Sequence, residues 1–335
     1  MEKKAVISAR NISIGYHKSR NRQENCLYEN LYFDLYSGEL VCLLGANGAG
    51  KSTLLRTISS TQAILNGNVT IEGKSLDTIS KKKLSKLLGL VLTDKTSIGG
   101  LTVRELVELG RYPYTGFFGQ LTDEDKLITE KAMDDVGVLH KAECYCAELS
   151  DGELQKTMIG KVLAQECPII LLDEPTAFLD ITSRIEITYL LHELAIKHNK
   201  SILLSTHDIE LALLLADRLW LLSSKYGLKS GVTEDIIVSG EMNNFFGNDK
   251  ITFDIHTGNF LPDFTSDKSV YLKASGYLYH WTKNLLAKHG YKISETKKGT
   301  EFCIDVYEYN RIVITKNEVV KEFSDFESLF IFLSK

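Results

Sequence analysis

The pattern of apolar and polar positions divides the chain in two. Residues 1–228 alternate strand-like with helix-like runs. "GELVCLLG" is a short continuous apolar run, and "KSTLLRTISS" follows it with helical spacing. "PIILLDEP" and "KSILLSTHD" are further apolar runs that read as buried strands. Short strands of this kind, alternating with helices, predict an α/β fold with a doubly wound, mainly parallel sheet.

Residues 229–247, "KSGVTEDIIVSGEMNNFFG", read as a connector. Residues 248–335 change character and predict a small α+β unit. "KITFDIHTG", "SVYLKA", "EFCIDVYEY" and "RIVITK" read as strands. "YLYHWTKNLLAKHG" reads as a helix whose apolar face carries Leu278, Trp281, Leu285 and Leu286, stopped by Gly290. "SDFESLFIFLSK" predicts a terminal helix opened by a Ser-x-x-Glu capping box.

Composition narrows the class. With 335 residues and 44% hydrophobic content there is material for one large domain or two unequal ones. The net charge of −5 argues against a nucleic-acid partner. The six scattered cysteines read as reduced thiols of a cytosolic protein, and Cys144-x-Cys146 lacks zinc or redox spacing. No signal peptide is visible, and no run of about 20 apolar residues would span a membrane.

Two motifs carry chemistry. "GANGAGKST", residues 45–53, places Gly45, Gly50, Lys51 and Ser52 in the spacing G-x-x-x-x-G-K-[ST]. Such a loop curls so that the N–H groups of Gly45, Ala46, Asn47, Gly48, Ala49, Gly50 and Thr53 face phosphate oxygens at a helix N-terminus. Lys51 then reaches the β- and γ-phosphates of ATP, and the Ser52 hydroxyl ligates Mg²⁺. "IILLDEP" ends an apolar strand in Asp173 and Glu174, at the sheet edge beside that loop. Asp173 is placed to hold Mg²⁺ and Glu174 to polarise an attacking water.

These motifs and the segments between them resemble ATP-binding-cassette (ABC) ATPases over roughly residues 5–228. "LSDGE", residues 149–153, resembles the family signature, usually Leu-Ser-Gly-Gly-Gln. "TAFLD", ending at Asp180, looks like the loop that crosses the dimer. "LSTHD" places His207 at the switch histidine, and Tyr16 of "ISIGY" matches the aromatic that stacks on adenine. The resemblance implies a P-loop cassette with a helical subdomain, working as a homodimer. Ser150 and Gly152 of one copy would then bind the γ-phosphate held by the other. Ser150 and Glu153 also form a capping box, so the signature starts a helix whose bare N–H groups suit an anion. The chain departs from the family at Asp151, where a glycine is usual, and at Glu153, where a glutamine is usual. Asp151 is expected to point off the nucleotide.

Between the two motifs, "VLTDKTSIGGLTVRELVELGR" puts Thr93 where the family carries a glutamine that senses Mg²⁺. Thr102 and Glu105 predict another capping box, and the aromatic run "YPYTGFFG" predicts an exposed surface. "LTVRELVELGRYPYTG" looks like the corresponding run in cassettes of iron–siderophore, haem and cobalamin importers. That implies docking of a membrane permease on about residues 94–120, with a periplasmic or lipoprotein binding protein feeding the permease. The chain would lie on the cytoplasmic face of the bacterial inner membrane.

Two alternatives remain. One is a degenerate or regulatory cassette, favoured by Thr93 and Asp151. The other is a non-transport ABC ATPase, against which stand the single cassette and the lack of heptads and CxxC pairs. Residues 248–335 carry 12 basic and 12 acidic residues and no basic patch, and are expected to be regulatory or dimer-stabilising. His280, Trp281 and His289 read as ordinary core and surface residues.

Overall fold

The computed structural model describes residues 4–17, 25–92, 99–116, 118–262 and 268–334. The chain forms two compact units. One runs to Phe246 and includes Ile255–Asn259; the other comprises Gly247–Asp254 and Phe260–Lys335.

The larger unit is built on a six-stranded sheet. Its strand order is Gly227–Val232, Arg218–Ser223, Leu40–Gly45, Ser201–Ser205, Ile169–Asp173, Leu88–Val91. The last five strands are parallel, and only the first pair is antiparallel. Leu40–Gly45, Ile169–Asp173 and Ser201–Ser205 are buried along their whole length. That is why they read as unbroken apolar runs rather than alternating ones.

A second, antiparallel sheet is formed by Asn25–Tyr36, Ala5–Tyr16, Asn66–Ile71 and Lys74–Ser75. It shares one apolar core with the first sheet, with Phe33 and Trp220 ring centroids 4.6 Å apart. The sequence reading did not mark these strands, because several bulges interrupt their alternation.

Three helices, Val103–Glu108, Asp123–Asp135 and Asp151–Ala164, pack together as a helical subdomain. Each opens with a reciprocal capping box: Thr102 with Glu105, Thr122 with Asp125, and Ser150 with Glu153. Gly110 is required at the contact with the third helix, since a Cβ there would lie 2.1 Å from the Lys161 carbonyl oxygen.

The segment read as a connector is part of this unit. It forms the edge strand Gly227–Val232 and the helices Thr233–Val238 and Glu241–Phe246, which bury Ile236 and Met242. Its polar, glycine-containing composition reflects an edge strand and short exposed helices, not a tether.

The smaller unit holds a five-stranded sheet in the order Tyr291–Ser294, Lys268–Lys273, Cys303–Glu308, Arg311–Lys316, Val319–Phe323. Its first three strands are parallel and the rest antiparallel. Helices Gly276–Lys288 and Phe326–Leu333 pack into a core of Val270, Leu272, Ile304, Val306, Ile312 and Ile314. Two expectations change here. The first helix buries Leu278, Thr282 and Leu286, an i, i+4, i+8 stripe, and leaves Trp281 59% exposed. The terminal helix is capped by Asp325, which accepts the Ser328 N–H at 2.7 Å, rather than by Ser324. Gly290 does end the first helix in the left-handed region, at φ 77°.

Candidate functional site

The phosphate loop follows directly from strand Leu40–Gly45. A Cβ on Gly45 would lie 2.7 Å from the Leu222 carbonyl oxygen, so the strand can end here only in glycine. Gly48 and Gly50 adopt φ of 76° and 90°, which turns the loop back on itself. The Ala49 N–H donates to the Ala46 carbonyl at 3.0 Å. The Tyr28 hydroxyl, from the neighbouring sheet, donates to the Ala49 carbonyl at 2.6 Å. Helix Lys51–Ile58 then begins at Gly50 without a side-chain cap, so no side chain competes for its first N–H groups.

Lys51 is buried, and its ammonium donates to the carbonyls of Gly45 (3.0 Å) and Ala46 (3.4 Å). Burial pulls the Lys51 pKa below the usual lysine value, while Glu174 and Asp173 act the other way. Both acids therefore act electrostatically on the loop lysine, as the sequence places them. Asn47 lies exposed on the loop, and Ser52 and Thr53 follow on the helix. Tyr16 stands at the end of its strand, with its hydroxyl 3.1 Å from Thr53 Oγ1. That contact fixes the ring beside the start of the loop helix.

Asp173 ends strand Ile169–Asp173, and Glu174 leaves it at φ 47°. The left-handed region costs an L-residue about 1–2 kcal/mol, so the surroundings hold it there. One holder is Ser205, whose hydroxyl accepts the Glu174 N–H at 2.9 Å and donates to Asp173 Oδ1 at 2.7 Å. Glu174 Oε1 lies 2.6 Å from His207 Nε2 and 3.7 Å from Lys51 Nζ. His207 Nε2 also lies 3.2 Å from Lys51 Nζ. One ring nitrogen cannot both donate to Glu174 and accept from Lys51; the carboxylate charge favours donation. Lys51, Asp173, Glu174 and His207 thus form one connected cluster. A hydroxyl at Ser52 and a carboxylate at Asp173 are hard oxygen donors, a set that suits Mg²⁺.

The signature segment opens helix Asp151–Ala164 as expected, with one correction. The Ser150 N–H is not bare: it donates to Glu153 Oε2 at 3.0 Å. A closed capping box and a bare Ser150 N–H exclude each other. The other Glu153 oxygen meets Lys141 at 2.6 Å. Lys141 and the Ser150 backbone hold the Glu153 carboxyl well down, from 4.5 to about 2. Asp151 is exposed in the first turn. Gly152 is buried against the next helix, where a Cβ would come within 2.9 Å of Ser183 Oγ. Asp180 caps that helix, Ile181–Lys197, accepting the Ser183 N–H (2.9 Å) and hydroxyl (3.0 Å). These bonds lower its pKa.

Thr93 lies outside the described residues. Among the described residues of 99–120, the aromatic run divides. Tyr112 and Phe118 face outward, 75% and 85% exposed, and Leu109 is exposed beside them. Tyr114 turns in: its hydroxyl donates to the Gln165 carbonyl at 3.1 Å, and its ring lies 4.1 Å from the Arg111 guanidinium carbon. Arg111 is buried, bonding Asp125 Oδ1 at 2.8 Å, Glu166 Oε2 at 2.6 Å and the Ala164 carbonyl at 2.8 Å. Sequence reasoning missed Ser205, Tyr28 and Arg111. For Arg111 a signal existed: a basic residue just past the end of an amphipathic helix, with acids downstream.

The family model described as ABC transporter matches residues 28–177, and that described as Iron ABC transporter C-terminal domain matches residues 267–334. An uncharacterized ABC transporter ATP-binding protein of Methanocaldococcus jannaschii is 37% identical over 241 residues, covering 72% of this chain and 81% of that one. The ferric enterobactin transport ATP-binding protein of Escherichia coli is 33% identical over 246 residues, covering 73% and 89%. Among solved structures, a dimeric ATP-binding cassette in a post-hydrolysis state with ADP and phosphate superposes with a TM-score of 0.59. It is 26% identical and covers 68% of this chain and 98% of that one. A connected Lys51–Glu174–His207 cluster on this fold, with relatives of this similarity, places the chain in the ABC transporter family as an ATP-binding, ATP-hydrolysing cassette.

Proposed function

We propose that this cassette powers uptake of a ferric siderophore, or of a related metal chelate such as haem or cobalamin, through a separate membrane permease. The observation that carries the reading is the pairing of an intact ATPase cluster with a C-terminal unit matched by an iron-transporter family. The ferric enterobactin relative supports the substrate class.

Two copies face each other. The loop of one copy, Gly45–Thr53, holds the nucleotide phosphates, Tyr16 flanks the base, and the helix start at Ser150 and Gly152 of the other copy closes on the γ-phosphate. Asp180 lies in the loop that meets the partner copy. Ser52 and Asp173 would hold Mg²⁺, which neutralises phosphate charge and orients the oxygens. Glu174 accepts the proton of the attacking water, and His207 keeps the Glu174 oxygen in place through the 2.6 Å contact. The closed cap at Ser150 leaves the next N–H groups of that helix for the phosphate. The intact cluster argues against a degenerate cassette. Leu109, Tyr112 and Phe118 are the apolar side chains offered to the permease, at the cytoplasmic face of the membrane. A binding protein delivers the chelate on the far side.

The test is uptake of radioactive iron by cells that lack their own siderophore cassettes and express this chain with its permease. Uptake of ferric chelate that fails with Glu174→Gln supports the proposal. A permease complex that is stimulated only by sugars or amino acids overturns it.

A further inference from the structure

Ser205 is the last residue of strand Ser201–Ser205, and it stands opposite Asp173 in the parallel register. Its side chain is fully buried. The direction of its two bonds is fixed by chemistry. The Glu174 N–H can only donate, so Ser205 Oγ accepts there, at 2.9 Å. Its single hydrogen then goes to Asp173 Oδ1, at 2.7 Å. One hydroxyl therefore sets the rotation of one carboxylate and the backbone of the next residue. That next residue, Glu174, is in the left-handed region at φ 47°, where the chain needs an outside hold.

We propose that Ser205 is the positioning residue of this site: it turns the Asp173 carboxylate toward Mg²⁺ and sets the direction in which Glu174 leaves the strand. The inference rests on Asp173 as the Mg²⁺-holding carboxylate. Without the hydroxyl, the Glu174 N–H and the buried Asp173 Oδ1 each lose this partner, and the carboxylate is held less firmly in its rotation. Groups that orient a metal ligand typically change metal affinity or activity about 10–100-fold when removed.

The experiment uses the full chain carrying Glu174→Gln, so that nucleotide is bound and not consumed. ATP affinity is measured in excess chelator and across a Mg²⁺ titration, for wild-type Ser205, Ser205→Cys and Ser205→Ala. Affinity without Mg²⁺ is expected to stay the same, because Lys51 and the loop N–H groups are untouched. The Mg²⁺ concentration giving half of the affinity gain should rise at least ~10-fold in Ser205→Ala. Ser205→Cys, a weaker donor of similar size, should fall between. Titrations that superimpose for folded proteins overturn the proposal; if Ser205→Ala does not fold, Ser205→Cys against wild type decides. Asp173→Asn tests the underlying reading separately. A full Mg²⁺ gain in that variant removes Asp173 as the ligand and the proposal with it. An altered Ser205 series with a lost gain in Asp173→Asn supports both.

Discussion

Glu174 Oε1 and His207 Nε2 lie 2.6 Å apart, and Lys51 Nζ is 3.2 Å from the same histidine nitrogen. Glu174, the proposed general base, is thus held from the side by a residue one strand away. Glu174→Gln keeps the shape and removes the basicity. Turnover should fall by at least ~10²-fold with ATP binding retained. Steady-state hydrolysis and nucleotide binding on the purified variant check this; near-normal turnover would take Glu174 out of the role.

Gly152 and Ser183 form a contact with no room for a methyl group. Ser183 is held by Asp180, so it cannot swing aside freely. Gly152→Ala should cost about 1–3 kcal/mol of stability by overpacking, more than the ~1 kcal/mol that alanine gains in a helix. Urea unfolding reads the cost. Placing the same change in a Ser183→Gly background should shrink it, and equal costs in both backgrounds would show that the clash is relieved elsewhere.

Glu153 gives the signature helix an acid sensitivity. Its folded pKa is depressed to about 2, from 4.5, by Lys141 and the Ser150 cap. A depressed carboxyl contributes stability above the unfolded value and loses it as pH falls from about 4.5 toward 2. Glu153→Gln keeps a capping acceptor and cannot titrate. The difference in melting temperature between wild type and this variant should therefore narrow as pH drops through that window. A difference that stays constant with pH would refute the assignment.

Arg111 and Asp125 are both buried, and their bond joins the end of the first subdomain helix to the second. Arg111→Met strands the Asp125 charge and should cost about 3–5 kcal/mol. Calorimetry or denaturant unfolding measures it. A loss below about 1 kcal/mol would mean that the pair is dispensable.

Tyr112 and Phe118 point outward, 75% and 85% exposed. Alanine at both should leave basal hydrolysis unchanged and lower permease-stimulated hydrolysis in reconstituted membranes. Equal stimulation of wild type and variant would move the docking surface elsewhere.

What the sequence made legible was whatever is local. The phosphate loop, the apolar strands and the capping boxes at Thr102 and Ser150 are each settled within a few residues, so spacing alone exposes them. Ser205 reaches Asp173 across 32 positions, and Arg111 reaches Ala164 across 53. Such partners exist only once the sheet register and helix packing are set. The connector failed for a related reason: strand Gly227–Val232 is defined by its pairing with Arg218–Ser223, not by its own pattern. Trp281 failed because a periodic face has width, and only packing selects the buried stripe from it.

Asp125 serves two masters with one carboxylate. Oδ2 closes the cap at Thr122, and Oδ1 takes Arg111. No substitution there is a local edit: asparagine would keep the cap but turn an amide against the guanidinium or lose one of the two acceptors. The constraint on Asp125 therefore reaches both the helix it caps and the segment that Arg111 ends, whereas the outward Leu109, Tyr112 and Phe118 can be substituted without disturbing either bond.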